Sequence, residues 1–264
     1  MIEVMGIVNV TPDSFSDGGE HFGHDAAVAH GLLLERQGAT ILDVGGESTR
    51  PGAQPVGSAE ELRRVLPVVA QLASGGSVVS VDTYRADVAE KAIDHGARII
   101  NDVSGGLADD RMLRVAADAG VDIAIGHWRG PSADMYAGAD YDDIGREVAA
   151  ELSARVDAAL AAGVDADRII LDPGVGFAKS GAQNWRLLRE LGPVVGLGFR
   201  VLVGTSRKRF FASALGEEPS RERKDLATAV TSVLAQQAGA WGVRVHEAAA
   251  TRDALAVLDD WESA

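Results

Sequence analysis

Asn9, Asp43, Asp82, Asn101, His127, Asp172, the run Thr205-Ser206-Arg207-Lys208, Arg244 and His246 are the side chains best placed to do chemistry, because each follows a short apolar stretch. A carboxylate offers paired acceptors, and an amide offers a donor beside an acceptor. Arg244 and His246 lie two residues apart on one predicted strand, so their side chains face the same way. A guanidinium fork beside an imidazole suits phosphate oxygens. Thr205 and Ser206 are expected to begin a helix, where free backbone N–H groups favour an anion, with Lys208 close behind. The chain has no cysteine, which removes thiolate nucleophiles, disulfides and cysteine-bound zinc and leaves oxygen or imidazole for any metal. A formal net charge of −14 argues against nucleic acid as a partner, since such binders neutralise phosphates with basic side chains.

Something must bring these residues together. One phrase recurs: a helix ending in glycine, then alanine or valine, then an apolar strand that stops at polar residues. It begins at Gly38, Gly96, Gly120, Gly163 and Gly239, each a candidate left-handed helix cap. With the remaining apolar runs, strands are expected at Val4 to Asn9, Thr40 to Asp43, Val78 to Asp82, Arg98 to Asn101, Asp122 to His127, Arg168 to Asp172, Arg200 to Gly204 and Gly242 to His246. Helical stretches lie between them. Over Ala59 to Ala73, Ser58 and Glu61 have capping-box spacing and Pro67 predicts a kink.

Strands alternating with helices over 264 residues predict an α/β fold, a single (β/α)8 TIM barrel formed by residues 1–264. The polar strand ends would then share the barrel's carboxyl face, where such folds carry their active sites. Thr11 to Gly19 and Glu47 to Gly57 are polar, glycine-rich and too long for tight turns, which predicts long flexible loops after strands 1 and 2. No apolar run is long enough for a membrane span. Met1 leads straight into an apolar segment with no basic stretch or cleavage site, so a cytoplasmic protein is expected.

The segments MGIVNVTPDSFSDGG (Met5 to Gly19), DVGGESTRPGA (Asp43 to Ala53), VDTYRADVA (Val81 to Ala89), NDVSGG (Asn101 to Gly106), DPGVGFAK (Asp172 to Lys179), GTSRKRF (Gly204 to Phe210) and VRVH (Val243 to His246) resemble, in order and spacing, those of dihydropteroate synthases, a pterin-binding TIM-barrel family. The resemblance implies condensation of a pterin diphosphate with 4-aminobenzoate, with Mg2+ as cofactor, sulfonamides as competitors and a homodimer formed through outer helices. It assigns Asp82, Asn101, Asp172 and Lys208 to the pterin, and Asn9, Arg244 and His246 to the diphosphate, Asn9 also serving Mg2+. Phe15, Thr49, Arg50, Pro51, Phe177 and Ser206 are assigned to the aminobenzoate. Asp82, Lys208, Arg244 and His246 would be the catalytic set.

The assignments make chemical sense. A pterin's amino-pyrimidine edge presents adjacent N–H donors that a carboxylate such as Asp172 accepts in parallel. One departure stands out: the family commonly has methionine before His127, packed on the pterin, and here that residue is Gly126. His21, His24, His30 and His95 read as solvated or structural, as do the charged stretches Arg63-Arg64 and Glu217 to Asp225. Two rival readings are a methyltetrahydrofolate-binding methyltransferase domain and a non-catalytic pterin-binding paralogue. The first should lack the Ser-Arg-Lys run and the Arg244/His246 pair; the second should have lost Lys208, Arg244 or the loop motifs. This chain keeps them all.

Overall fold

A computed structural model describes residues 2–11, 19–47, 56–130 and 139–264. Each apolar run becomes a strand: β1 (Glu3–Asn9), β2 (Ile41–Gly45), β3 (Val79–Asp82), β4 (Ile99–Asp102), β5 (Asp122–Gly126), β6 (Ile169–Asp172), β7 (Arg200–Val203) and β8 (Gly242–Val245). All neighbours pair in parallel and β8 returns to β1, closing the barrel. Around it run α1 (Gly19–Arg36), α2 (Ser58–Ser74), α3 (Ala86–Asp94), α4 (Met112–Ala119), α5 (Ile144–Ala161), α6 (Gly181–Arg189), the short α7 (Gly192–Val195) and α8 (Ala212–Leu215), α9 (Arg221–Gln237) and α10 (Ala249–Ser263). The strands are short and almost wholly buried, as expected where helices cover one face and the barrel interior the other.

Two cores result. One lies between strands and helices. The other is a small internal cluster of Met5, Ile41, Ile99, Ala124, Ile170 and Leu202. Each of its members stands two residues before an inward position nearer the carboxyl end: Ile7, Asp43, Asn101, Gly126, Asp172 and Gly204. Strand side chains alternate with a period of two, so the apolar cluster plugs the barrel directly beneath the polar layer. The five turn glycines, Gly38, Gly96, Gly120, Gly163 and Gly239, all have positive φ, from 61° to 104°, the left-handed conformation expected of them.

Several local expectations are corrected. α2 has Gly57 at its N-cap and no capping box; Ser58 donates instead to Asp87, and Glu61 turns inward to pair with Arg85. No helix begins at Thr205: the chain turns after β7, makes a single 3-10 turn at Arg209–Phe211 and only then enters α8. Thr205 and Ser206 therefore offer an anion no helix N-terminus. His127 and His246 each lie one residue past their strand. Asp225 is no solvated charge, since it accepts from Arg207 Nε at 2.6 Å and Nη2 at 2.8 Å. Among the described residues no helix is long and apolar enough to cross a membrane.

Candidate active site

The carboxyl mouth of the barrel holds a cavity of about 850 Å³ whose walls include Asn9, Asp82, Asn101, Asp172, Phe177, Ser206, Lys208, Arg244 and His246. Nine of the residues selected from the sequence thus share one space. Phe15, Thr49, Arg50 and Pro51 lie outside the described residues.

Arg244 organises the floor. Its Nε donates to Asp43 Oδ2 and its Nη2 to Asp82 Oδ2, both at 2.6 Å. Asp43 Oδ2 also accepts from Asn101 Nδ2 at 3.0 Å. The guanidinium is thereby aimed by β2 and β3, and Asn101 is oriented with its donor inward. Asp43 is fully buried, and its Oδ1 has no hydrogen-bond partner among the described residues. Two carboxylates against one guanidinium leave an excess of negative charge. Burial pushes Asp82 up to about 7 against the pull of Arg244, with Asp43 adding to the upward push. The two carboxylates hold Arg244 above its ordinary value.

Asp172 ends β6, and its Oδ1 accepts from Gly174 N at 2.7 Å. That bond fixes the plane of the carboxylate while leaving lone pairs on both oxygens for a ligand. Lys208 Nζ donates to the carbonyl of Val175 and lies 4.8 Å from the centroid of the Phe177 ring. Burial lowers Lys208 to about 8, with Asp172 opposing the shift. Ser206 Oγ accepts from His246 N at 3.1 Å and sits 2.9 Å from His246 Nδ1. The hydroxyl has a second lone pair and one donor, so the Oγ–Nδ1 contact serves either tautomer of His246. The two residues form one unit, although the sequence reading gave them to different substrates.

The Gly126 departure has a steric counterpart. A Cβ added at Gly126 would lie 2.4 Å from the carbonyl oxygen of Val103, so the chain after β4 occupies the space a side chain needs. Val103 itself lines the cavity. His127 does not: it is buried, between Lys179 and Glu151.

The sequence gives no task to three residues of the site. Asp43 is visible there as a strand-end acid, and Lys179 as the end of the DPGVGFAK segment. Glu47, another wall residue, accepts from Val56 N at 2.9 Å, from Arg85 Nη1 at 2.9 Å and from the Tyr84 hydroxyl. Both ends of the segment 48–55 are thus pinned together. Only the position of Asp43 at a strand end carried a readable signal.

Comparison with known proteins agrees with this geometry. The sequence matches the family described as pterin binding enzyme over residues 5–246. Dihydropteroate synthase of Mycobacterium leprae is 51% identical over 265 residues, covering 98% of this chain and 93% of the relative. The crystal structure of Xanthomonas albilineans dihydropteroate synthase with 4-aminobenzoic acid superposes with a TM-score of 0.93 at 45% identity, covering 100% of this chain and 94% of that one. The same enzyme in complex with 7,8-dihydropteroate gives 0.89 at 43% identity, with the same coverage. A barrel with its polar residues gathered at one mouth and a family pattern running through nearly all of its strands place this chain among the pterin-binding enzymes, in the dihydropteroate synthase family.

Proposed function

We infer that the chain condenses (7,8-dihydropterin-6-yl)methyl diphosphate with 4-aminobenzoate, forming 7,8-dihydropteroate and diphosphate. The observation that carries this reading is the sharing of one cavity by a ring-reading carboxylate, Asp172, an ammonium, Lys208, and an anion-binding pair, Arg244 and His246. A methyl-transferring pterin barrel has no use for the last pair.

In this reading Asp172 accepts from the amino-pyrimidine edge, while the Asn101 amide and Asp82 meet further ring atoms. Lys208, held by Val175 and Phe177, donates to the pterin carbonyl. Arg244 has Nη1 unengaged by any described residue, and this group together with the His246 imidazole takes the diphosphate oxygens. The C–O bond at the pterin methylene breaks with its electron pair passing to the diphosphate. The ring and Asp82 stabilise the charge left behind. The aniline nitrogen attacks the methylene, and the resulting arylammonium is acidic enough to release its proton without a strong base.

The donor set at Asn9 fits Mg2+. One neutral amide oxygen on the cavity wall, with no trio of His, Cys, Asp or Glu among the described residues, suits an ion that takes most of its ligands from water and substrate phosphate. Bound there, it would neutralise charge on the departing diphosphate. Phe177 and Ser206 belong to the aminobenzoate side of the cavity, with Phe15, Thr49, Arg50 and Pro51 completing it by resemblance.

The reading includes a homodimer in the cytoplasm. Leu226, Val230 and Leu234 recur every four residues on α9 and are 52–64% exposed, beside Val257 and Trp261 on α10, which packs against α9. Such an apolar face supports pairing of two copies. The test of the reaction is pyrophosphate release from the pterin diphosphate in Mg2+. Release should require 4-aminobenzoate, and release independent of it would overturn the assignment.

A further inference from the structure

Lys179 is 1% exposed, among the largest fully buried side chains of the protein, and the mechanism above gives it nothing to do. Its Nζ lies 3.1 Å from Gly174 O, 3.0 Å from Phe177 O and 3.0 Å from His127 Nδ1. An ammonium has three donors and no acceptor, so these three contacts saturate it. The hydrogen bonds beyond it agree. Glu151 accepts from Arg129 and from His127 Nε2 at 3.0 Å, and an ionised carboxylate needs a proton on that nitrogen. With Nε2 protonated, Nδ1 of the neutral ring is an acceptor, as Lys179 requires. A continuous chain therefore runs from the turn after β6, through Lys179 and His127, to Glu151 on α5.

The turn that Lys179 grips is an unusual piece of backbone. Gly174, Gly176 and the non-glycine Ala178 all have positive φ, at 68°, 85° and 49°. Alanine in that region is disfavoured, so surrounding contacts must hold it there. The same turn carries Phe177, and its Val175 carbonyl receives Lys208. Lys179 thus holds the carbonyls of Gly174 and Phe177, and Lys208 the Val175 carbonyl between them.

We propose that Lys179 is a positioning residue for the aminobenzoate half of the site, fixing the 173–178 turn so that Phe177 stands where that substrate must bind. The proposal rests on the reaction assigned above. Its first test does not. In the ligand-free protein, Lys179→Met keeps a long apolar stem but removes all three donors. Amide exchange at Gly176 and Phe177, followed by NMR, should quicken at least about tenfold while protection in the barrel strands persists. In steady-state kinetics the same variant should raise KM for 4-aminobenzoate about tenfold and leave KM for the pterin diphosphate and kcat within about threefold.

Glu151→Gln, at a partly exposed position, removes the charge that orients His127 and should shift exchange and KM in the same direction by less. If Lys179→Met does not fold, Glu151→Gln decides. Unchanged exchange in a folded variant overturns the proposal whatever the enzyme's activity, and so does an equal rise in KM for both substrates. Faster exchange in a protein whose parent shows no turnover would instead sink the reaction and, with it, the positioning role.

Discussion

Arg244 on β8 and Asp82 on β3 form a 2.6 Å ion pair across the barrel mouth, and the same guanidinium is held from β2 by Asp43. The residue expected to clamp a diphosphate is therefore already part of the barrel's own electrostatics. Arg244→Ala should do more than weaken anion binding, because it leaves two carboxylates facing each other without a cation. Removing one partner of a buried pair costs about 3–5 kcal/mol. A marked fall in Tm is expected together with loss of diphosphate binding, whereas Arg244→Lys should recover most of the Tm and little of the binding, lacking the fork. An alanine variant with unchanged Tm would show that Asp43 and Asp82 do not depend on Arg244.

Asp172→Asn should abolish pterin recognition. The Gly174 N–H already fixes the side chain, so the variant keeps its place but presents a donor where the ring presents donors. Unpaired buried donors cost about 1–3 kcal/mol each, roughly ten- to hundredfold in affinity per donor. Calorimetry on an unphosphorylated pterin is the check, and wild-type affinity would remove Asp172 from the ring edge.

Strand positions and the carboxyl-face gathering were legible because they depend on short-range signals: glycine caps and apolar runs that stop at polar residues. What was not legible depends on partners far along the chain. Asp43 and Arg244 are 201 residues apart, so nothing local to either reveals the pair. Ser58 and Glu61 had the spacing of a capping box, but Arg85, 24 residues on, draws Glu61 into the interior. Thr205 and Ser206 looked like a helix start because polar residues after a strand often are. Here Thr205 is buried, 2.8 Å from Thr231 Oγ1, and Ser206 is tied to His246. Lys179 likewise has no local signal, because its partner His127 lies 52 residues away.

Activity and stability should part company at alkaline pH. Burial lowers Lys208 to about 8 and Lys179 to about 7. Between those values and the unfolded lysine pKa of about 10.4, the unfolded chain binds more protons than the native one. The contribution of these two groups to stability therefore rises with pH through that window. Asp82 acts at the other end: held near 7, it keeps a proton that the unfolded chain has lost above about 4, so its contribution falls as pH rises from about 4 to about 7. Above about pH 8, kcat/KM should drop as Lys208 loses its ammonium, without a matching drop in Tm. Parallel losses in both would mean alkaline unfolding rather than titration in the site.

Gly126→Ala should destabilise the barrel, since its Cβ would meet the Val103 carbonyl at 2.4 Å and backbone yields less readily than a side chain. Overpacking of this kind costs about 1–3 kcal/mol. Denaturant unfolding measures it. A neutral result would show that the segment after β4 moves aside, and would open that space to a larger residue packing on the pterin.

The aminobenzoate should bind weakly until the diphosphate site is filled. The segment after β2 leaves the barrel at Glu47 and returns at Val56, and these two residues are bonded to each other and to Arg85. Thr49, Arg50 and Pro51, placed on the aminobenzoate by resemblance, lie between those two residues in sequence and outside the described residues. A small ligand such as 4-aminobenzoate has few contacts of its own from which to draw affinity. Pyrophosphate with Mg2+ would engage Arg244 and His246 first, so the second ligand binds to a site already made, which is positive coupling. Calorimetry with and without pyrophosphate and Mg2+ should show 4-aminobenzoate tightening about tenfold or more, a coupling of roughly 1.4 kcal/mol. A sulfonamide should show the same dependence and compete with it. Equal affinity under both conditions would move the specificity from the loop to Phe177 and Ser206 on the barrel rim.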